Sequence, residues 1–464
     1  MVGTFDLENL GDLLFPYVAQ HELARRLGSV ELELFSYRAL DPPAWPLKVR
    51  PVHSLGQRLG EFDLLVVGGG HLIRGDVDLA PGYEPTDTTT SHPFGLWLVP
   101  TLLAAGAGVP VAWNAVGTIE SIPATIAPLV DAAIGAVDYL AVRDLVAARF
   151  VASRNGSVEP VVVPDTIFGI AALLDRDVVE RARALLAASG VDGRYVVIQP
   201  SALLEGHLCS VEALAAAAAS QDIGVLELPC GPCHLDAVGR LGLTTPTASI
   251  GTWPDPLVCA ALLAGAEAVV AASLHAGIIA TTAGVPLFRP LAAPGAKHEQ
   301  LDHLPGVTAL PTDVSGASVD ASFGRRSPTS EVLVHRASLE HHWDEVARLA
   351  TAGRGTRGPR PAIAALFESL PAELARRDDA ASEALGGLVL AHSAERRRGA
   401  AALAALEIAL AASGEQLAEE RARAAALDAE LQRTPVKGAL AAAEALTSLR
   451  RRMTPPSRGG TPGR

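Results

Sequence analysis

The 464-residue sequence lacks the features that mark secreted, disulfide-stabilised or membrane-spanning proteins. Four cysteines are too few for a disulfide framework in a chain of this length. The residues after Met1 form neither a basic segment nor an apolar core, so no signal peptide is predicted. The longest apolar stretch, 260–287, carries Glu267 and His275 and is interpreted as helix, strand and helix. These absences predict a cytoplasmic protein without a transmembrane segment.

Positive charge and aromatic residues are also scarce. The formal net charge is −13, and residues 360–464 carry 15 basic and 13 acidic side chains, which leaves −15 on residues 1–359. That body would repel a nucleic acid, so no nucleic-acid partner is expected. A small anionic ligand is still compatible with a locally positive pocket. Aromatic residues are only 4% of the sequence, which disfavours a site built on base stacking.

The first 290 residues alternate short apolar runs with longer Ala- and Leu-rich segments. The runs are almost continuously apolar, as in parallel strands that are covered on both faces. The predicted strands lie at residues 63–68, 109–114, 139–143, 159–164, 195–199, 223–228, 268–272 and 285–289. Helical segments of crossover length separate them. The pattern predicts an α/β protein with two Rossmann-like lobes, residues 1–167 and 168–310.

The sequence changes character after residue 310. Residues 311–361, with Ser-, Asp- and Gly-rich stretches, are predicted to be an irregular linker. Residues 362–453 are rich in Ala, Leu, Glu and Arg, and their imperfect heptads predict a helical, coiled-coil-like extension that can support a homo-oligomer. Packing of this helix on the body, or disorder, are alternatives. Residues 454–464 are predicted to be a disordered tail.

Polar residues follow several predicted strands, where parallel sheets place their ligand sites. The first strand is followed by Gly68–His71, and three successive glycines let a ligand approach the backbone closely. Asn114 and then Arg143 end the next two strands, and an arginine so placed is suited to bind phosphate or carboxylate. A surface ion pair is the alternative for Arg143, and helix capping is the alternative for Asp144. Asp165 ends the first lobe.

Two further groups lie at predicted helix starts. Asn9–Asp12 precedes a helical run, and either capping or the binding of an anion or sugar hydroxyl accounts for these residues. Ser273, Leu274 and His275 open a helix after the seventh strand. A helix start favours the neutral imidazole, which can exchange a proton near neutral pH. A single histidine usually has a structural role, but its position at a strand end favours a functional one.

The segment Cys230–His234 (CGPCH) matches the haem-attachment pattern and contains a thioredoxin-like CGPC. Haem attachment requires export, for which no signal is predicted, and the thioredoxin site lies on the first turn of a much smaller domain. No second cysteine pair lies at ligand spacing, so no metal site is predicted. These cysteines are interpreted as incidental.

In this order, the motifs resemble those of the polysaccharide pyruvyl transferases. The resemblance covers residues 1–290 and rests on Asn9-x-Gly11-Asp12, Gly68–Gly70, Val142–Asp144, Pro164-Asp165, His234-x-Asp236, and Leu274-His275 before Gly284–Pro286. It implies a GT-B-like arrangement with the active site between the lobes. It also implies transfer of a pyruvyl group from phosphoenolpyruvate to two hydroxyls of a cell-surface glycan or its lipid- or nucleotide-linked precursor, giving a ketal and phosphate. Phosphoenolpyruvate is the donor substrate, and no cofactor is expected.

The resemblance also implies roles for individual residues. The enol carbon needs a general acid, the acceptor hydroxyl needs a base, and the two anionic groups of the donor need cations. His275 and Asp12 are the expected catalytic residues. The donor is expected to contact Arg143, Ser273, Leu274 and Arg289, and the acceptor Asn9, Gly69, Gly70, His71 and Asn114, with Asp144, Asp165 and His234 as further site residues.

Two features depart from the family pattern. Members often carry arginine immediately before Leu-His, where this chain has Ser273. The missing charge would then have to come from Arg289, Arg74 or Lys297. Only Met1–Phe5 precede the first motif, where the family usually has a strand. The alternatives to a pyruvyl transferase are a glycosyltransferase that uses a nucleotide sugar and a non-catalytic sugar- or partner-binding protein.

Overall fold

The fold is described from a computed structural model, in which the chain forms two compact units, Met1–Ser369 and Leu370–Arg464. The structure describes residues 1–75, 82–83, 93–118, 122–123, 126–155, 158–232, 236, 240–250, 253–290, 299–313, 322–352, 363, 394–395, 398, 402–403, 406, 414–429 and 434–452.

The first lobe is built on parallel strands. These are β1 Leu34–Ser36, β2 Val49–Pro51, β3 Leu65–Val67, β4 Gly70–Ile73, β5 Val111–Thr118, β6 Tyr139–Val142 and β7 Val161–Val162. The main sheet has the order β3-β5-β6-β7, with β4 also paired to β5, while β1 pairs with β2. Val2 joins the two groups, because it pairs in parallel with Phe35 and Val67. The strand expected before the first motif is thus reduced to a bridge at Val2.

The second lobe has six parallel strands in the order β10-β9-β8-β11-β12-β13. They are β8 Tyr195–Ile198, β9 Gly224–Glu227, β10 Ala248–Ser249, β11 Ala268–Val270, β12 Leu287–Arg289 and β13 Val307–Ala309. Val197 and Val269 belong to one hydrophobic cluster and Val196 and Val270 to another, so both faces of the sheet are covered. The predicted α/β fold with two Rossmann-like lobes in a GT-B-like arrangement is confirmed.

Helices of the first unit connect and cover the strands. They are α1 Leu10–Leu27, α2 Leu55–Arg58, α3 Leu98–Gly106, α4 Ala127–Ala136, α5 Leu145–Arg154, α6 Arg176–Ala188, α7 Leu208–Ala219, α8 Pro256–Gly265, α9 Leu274–Thr282, α10 Glu299–Asp302 and α11 Ser330–Ala352. In the described part of the chain, one helical stretch, Ala202–Ala219, has the length and hydropathy to cross a membrane. Core helices pass the same criterion, and this stretch buries Val211 and Leu214 in the core of the second lobe.

Helix α1 lies between the two lobes. Its side chains Leu10, Leu14 and Phe15 are buried in the same hydrophobic cluster as Phe168 and Leu274. Leu274 is the first residue of α9 in the second lobe, whereas α1 follows the first residues of the first lobe. The shared core therefore brings the first and last motifs of the chain together.

Helix α11 occupies much of the segment that the sequence predicts to be an irregular linker. Its buried side chains recur at helical spacing and are Val332, Leu339, His342, Trp343, Val346, Ala347 and Leu349. The polar residues before Ser330 dominate the composition of the segment and conceal this periodicity. Arg26 of α1 pairs with Glu340 at 2.8 Å and with Asp344 at 2.7 Å, which fixes α11 against α1.

In the second unit, the structure describes two longer helices, α12 at residues 414–429 and α13 Thr434–Arg452. Both fall within the segment predicted to be a helical extension. Their leucines are exposed, as Leu417 and Leu446 illustrate. Coiled-coil pairing through this segment stays a prediction, and the tail predicted at 454–464 lies outside the described residues.

Candidate functional site

His275 is the second residue of α9, and residues 271–273 connect this helix to the buried strand β11. Ser273 is the N-cap of this helix, and its hydroxyl accepts a 3.4 Å hydrogen bond from the amide of Ala276. The position where the family often has arginine is therefore a helix cap in this chain. Only 13% of the His275 side chain is exposed. Leu274 turns into the hydrophobic core and is 5% exposed.

Gly11 of α1 packs directly against the His275 ring. A Cβ atom on Gly11 would lie 1.7 Å from Nδ1 of His275, so any larger side chain would overlap the imidazole. Phe15, one turn further along α1, meets the ring edge-on at 5.5 Å between centroids. Gly69 leaves room for Phe15, since a Cβ there would lie 2.4 Å from the phenyl ring. Glycines of two motifs thus allow the first lobe to close on the histidine of the second.

Asp165 lies behind His275 and is fully buried. Its Oδ2 is 3.5 Å from Nε2 of His275 and 4.0 Å from Nη1 of Arg143. Burial raises the pKa of Asp165, but the nearby His275 and the charge of Arg143 outweigh burial. The pKa therefore lies below its ordinary value, and the carboxylate is ionised at neutral pH. Its Oδ1 accepts the amide hydrogen of Ile167 at 3.1 Å, which fixes its orientation.

Arg143 directly follows β6, and its guanidinium is enclosed, with 3% of the residue exposed. Its Nη2 is 3.3 Å from Nδ1 of His71, whose Nε2 lies 2.5 Å from the carbonyl oxygen of Thr118. Since a carbonyl only accepts, Nε2 of His71 carries the hydrogen and Nδ1 accepts from Arg143. Gly117 provides the space, because a Cβ there would lie 2.6 Å from Nη2.

Asp144 combines two roles next to this cluster. Its side chain caps α5 by accepting from the amide of Ala147 at 2.8 Å, and its Oδ2 lies 3.5 Å from Nε of Arg143. The sequence leaves helix capping open as a role for Asp144, and the structure shows that Asp144 does cap α5.

Asn9 and Asp12 lie at the start of α1, on the first-lobe side of His275. Asn9 is the N-cap by position, yet its side chain makes no capping hydrogen bond. Capping by the Asn9 amide thus does not explain the motif. Asp12 accepts a 2.7 Å hydrogen bond from the hydroxyl of Thr4. A Cβ on Gly70, whose φ is +85°, would lie 3.0 Å from Oδ1 of Asp12, so this glycine both turns the chain and leaves space for the carboxylate.

In the described structure, the side chains of two predicted site residues contact residues other than His275, Asp165 and Arg143. Asn114 is fully buried, and its Oδ1 lies 2.9 Å from Nε2 of His342 in α11. Arg289, 2% exposed, lies 2.9 Å from Oδ1 of Asp302 through Nη1, and its Nη2 donates to the carbonyl oxygen of Ala272 at 3.3 Å. Binding roles for both residues stay predictions. His234 and Lys297 lie outside the described residues.

Sequence reasoning missed three residues that shape the site. Phe15 contacts His275, and its position four residues after Gly11 on the same helix was an available signal. Gln199 directly follows the buried strand β8, so the rule that identified Arg143 and Asp165 applies to it as well. His342 had no such signal, because its contact with Asn114 depends on how α11 packs.

Fold and site together define a class: a GT-B-like α/β protein that holds a largely buried imidazole beside a carboxylate where its lobes meet. Comparison of the sequence with models of known protein families identifies the family of this chain. The model of the polysaccharide pyruvyl transferase family matches residues 9–291, and the chain belongs to this family of transferases. No curated protein matches the sequence significantly.

Solved structures align with this chain at low similarity. The UDP-GlcNAc 2-epimerase from Methanocaldococcus jannaschii aligns with 12% identity and a TM-score of 0.44, covering 73% of this chain and 97% of that chain. The Neisseria meningitidis UDP-GlcNAc 2-epimerase bound to UDP-GlcNAc aligns with 10% identity and a TM-score of 0.39, covering 77% and 96%. The E. coli ADP-heptose lps heptosyltransferase II aligns with 11% identity and a TM-score of 0.36, covering 72% and 97%. Such values carry no argument about function.

Proposed function

We propose that this protein transfers a pyruvyl group from phosphoenolpyruvate to two hydroxyls of a glycan or glycan precursor. The observation that supports this most directly is the His275 imidazole, held between Gly11 of the opposite lobe and the carboxylate of Asp165. Membership of the family supplies the class of reaction. The histidine supplies a group that can carry out its proton transfer.

The starts of α1 and α9 offer a suitable environment for the two anionic groups of the donor. The two helices meet through Gly11 and His275, each the second residue of its helix. A helix start has unpaired backbone N–H groups and the positive end of the helix dipole. Two converging helix starts therefore favour an anion, even though residue 273 is serine.

In the proposed mechanism, His275 acts as the general acid. The imidazolium is stabilised by Asp165 at Nε2, while Nδ1 lies on the Gly11 side of the ring and delivers the proton. The proton adds to the methylene carbon of the donor, which becomes a methyl group and leaves an oxocarbenium-like carbon. An acceptor hydroxyl attacks this carbon.

Asp12 acts as the base for the acceptor in this proposal. Its carboxylate is oriented by the hydroxyl of Thr4, and the adjacent Asn9 amide binds the sugar. After the first hydroxyl has added, phosphate leaves and the second hydroxyl completes the ketal. One carbon–oxygen bond to phosphate breaks and two to the acceptor form. Of the two hydroxyl protons, one restores the imidazolium and the other leaves with phosphate.

Arg143 has a different role here from the donor clamp that the sequence predicts. Its guanidinium is enclosed by Gly117, Asp165 and His71. We therefore assign it to keeping Asp165 ionised and oriented, so that its effect on the donor passes through His275.

Acceptor-dependent release of phosphate from phosphoenolpyruvate tests the proposal. The assay compares the wild type with His275→Ala and with His53→Ala, a control at an exposed histidine. We expect the control to retain wild-type turnover and His275→Ala to lose about 100-fold or more. Undiminished turnover in His275→Ala would remove its role as the acid. Consumption of a nucleotide sugar instead of phosphoenolpyruvate would favour the glycosyltransferase alternative.

A further inference from the structure

Gln199 connects the turn before α9 to a buried carboxylate. Its Oε1 accepts hydrogen bonds from the amides of Ala272 at 3.0 Å and Ser273 at 2.9 Å. Its Nε2 donates to both carboxylate oxygens of Asp236 at 2.8 Å. Gln199 is 5% exposed and Asp236 2%. A buried amide that uses both of its ends in this way has one preferred orientation.

Asp236 extends this connection to α1. Its Oδ2 also accepts from the amides of Cys230 at 2.7 Å and Gly231 at 2.9 Å. The carbonyl oxygen of Cys230 in turn accepts from the amide of Leu10, the first residue of α1, at 2.8 Å. The hydrogen bonds therefore run without interruption from the turn before His275 to the start of the helix that carries Gly11.

We propose that Gln199 and Asp236 are positioning residues that set the separation of the α1 and α9 starts and thereby hold His275 against Gly11 and Asp165. The inference rests on the proposed function, in which His275 is the acid. It also gives the first two residues of the CGPC segment a role through their backbone, because the amides of Cys230 and Gly231 donate to Asp236 and the carbonyl of Cys230 accepts from α1.

The polarity of the connection makes a rescue experiment possible. In Gln199→Glu, the group facing Asp236 becomes an acceptor, so two carboxylates oppose each other. In Asp236→Asn, the oxygen kept at the Oδ2 position still accepts from Cys230, Gly231 and Gln199, but the new amide nitrogen at the Oδ1 position faces the amide nitrogen of Gln199, so two donors oppose each other. In the double variant, the new carboxylate at residue 199 accepts from the amides of Ala272 and Ser273 and from the new amide nitrogen at residue 236, whose oxygen still accepts from Cys230 and Gly231. Five of the six hydrogen bonds described for the pair are then regained with the charge moved to residue 199, and the sixth, from Nε2 to Oδ2, becomes a contact between two oxygens.

Two readouts are measured on the full chain. The first is kcat and KM for phosphoenolpyruvate, and the second is the NMR signal of the His275 ring, identified by its loss in His275→Ala. The edge-on contact with Phe15 makes this signal sensitive to the position of the ring relative to α1. The second readout does not depend on turnover, so failure of the proposed function is distinguishable from failure of this inference. Gln20→Glu, which removes a 3.0 Å hydrogen bond to the Val30 carbonyl at the other end of α1, is the matched control.

We expect each single variant to fold, to shift the His275 signal and to lower kcat about tenfold or more, with KM changed less than threefold. The single variant Gln199→Glu should recover in part as the pH falls, because a proton shared between the two carboxyls restores the missing donor. The double variant should recover most of the kcat lost in Gln199→Glu and move the His275 signal back towards its wild-type position, and the control should change neither readout. An unshifted His275 signal in the folded single variants overturns the inference. So do unfolding of the single variants, which assigns the pair to stability, and a double variant that folds without rescue.

Discussion

Gly11→Ala is the substitution that most directly tests the contact between the lobes. The added methyl group would lie 1.7 Å from Nδ1 of His275, whereas ordinary contacts begin near 3.4 Å. The ring and α1 must therefore separate by roughly 1.7 Å, the difference between those two distances. A displacement of about 1 Å in a catalytic group can lower the rate about 100-fold, or about 3 kcal/mol in activation free energy.

The same substitution should affect stability much less than activity. Overpacking destabilises by about 1–3 kcal/mol, while replacing glycine by alanine in a helix recovers about 1 kcal/mol. We therefore expect Gly11→Ala to remain folded, with a free energy of unfolding lowered by about 2 kcal/mol at most, and to lose about 100-fold in kcat. Acceptor-dependent phosphate release and urea unfolding measure the two quantities.

Gly56→Ala provides the control for Gly11→Ala. Gly56 is also the second residue of a helix, α2, and a Cβ there would lie 3.7 Å from Leu103, an ordinary contact. Its activity and stability should match the wild type. If Gly11→Ala instead retains kcat within threefold of the wild type, the Gly11 contact does not position the acid and the argument for the site fails.

Three further predictions concern single residues. In the proposed mechanism, Asp165→Asn should lower kcat about 100-fold with little change in KM, because a neutral amide no longer stabilises the imidazolium of His275. Steady-state kinetics measure both constants, and a kcat equal to that of the wild type would contradict the prediction. Burial lowers the pKa of His342 to about 3, so the unfolded chain binds a proton before the folded one as the pH falls below about 6.5. The free energy of unfolding should therefore drop by about 3 kcal/mol from pH 7 to pH 4, and urea titrations should show a smaller drop in His342→Gln. Ser273→Arg should lower KM for phosphoenolpyruvate, because it adds the arginine that is common in the family. Loss of the Ser273 cap should lower the free energy of unfolding by about 1 kcal/mol. An unchanged KM would show that donor binding does not need a positive charge at residue 273.

The central strands of both lobes could be predicted because each is a continuous apolar run. Strands such as β3 and β8 fall inside the predicted segments. The edge strands β1, β2, β10 and β13 were missed, since each has only two or three residues and little apolar pattern of its own. Their pairing is set by the neighbouring strand rather than by local sequence.

The site could be predicted in part for a related reason. Arg143, Asp165 and His275 end strands or open a helix, and a general rule places such residues at the ligand-binding edge of a sheet. The contact of His275 with Gly11 could not be predicted, because it depends on how the two lobes pack. The enclosure of Arg143 depends on the same packing, since Gly117 and His71 surround it only in the folded lobe.

The position of α1 between the lobes has a consequence for turnover. Any motion that separates the lobes at this point must take Gly11 and Phe15 away from the His275 imidazole. The ring then loses the surfaces that orient Nδ1, so under the proposed mechanism proton transfer from His275 requires the lobes to be together. In the proposed function, such an arrangement would protect the enol phosphate donor from hydrolysis before the acceptor binds.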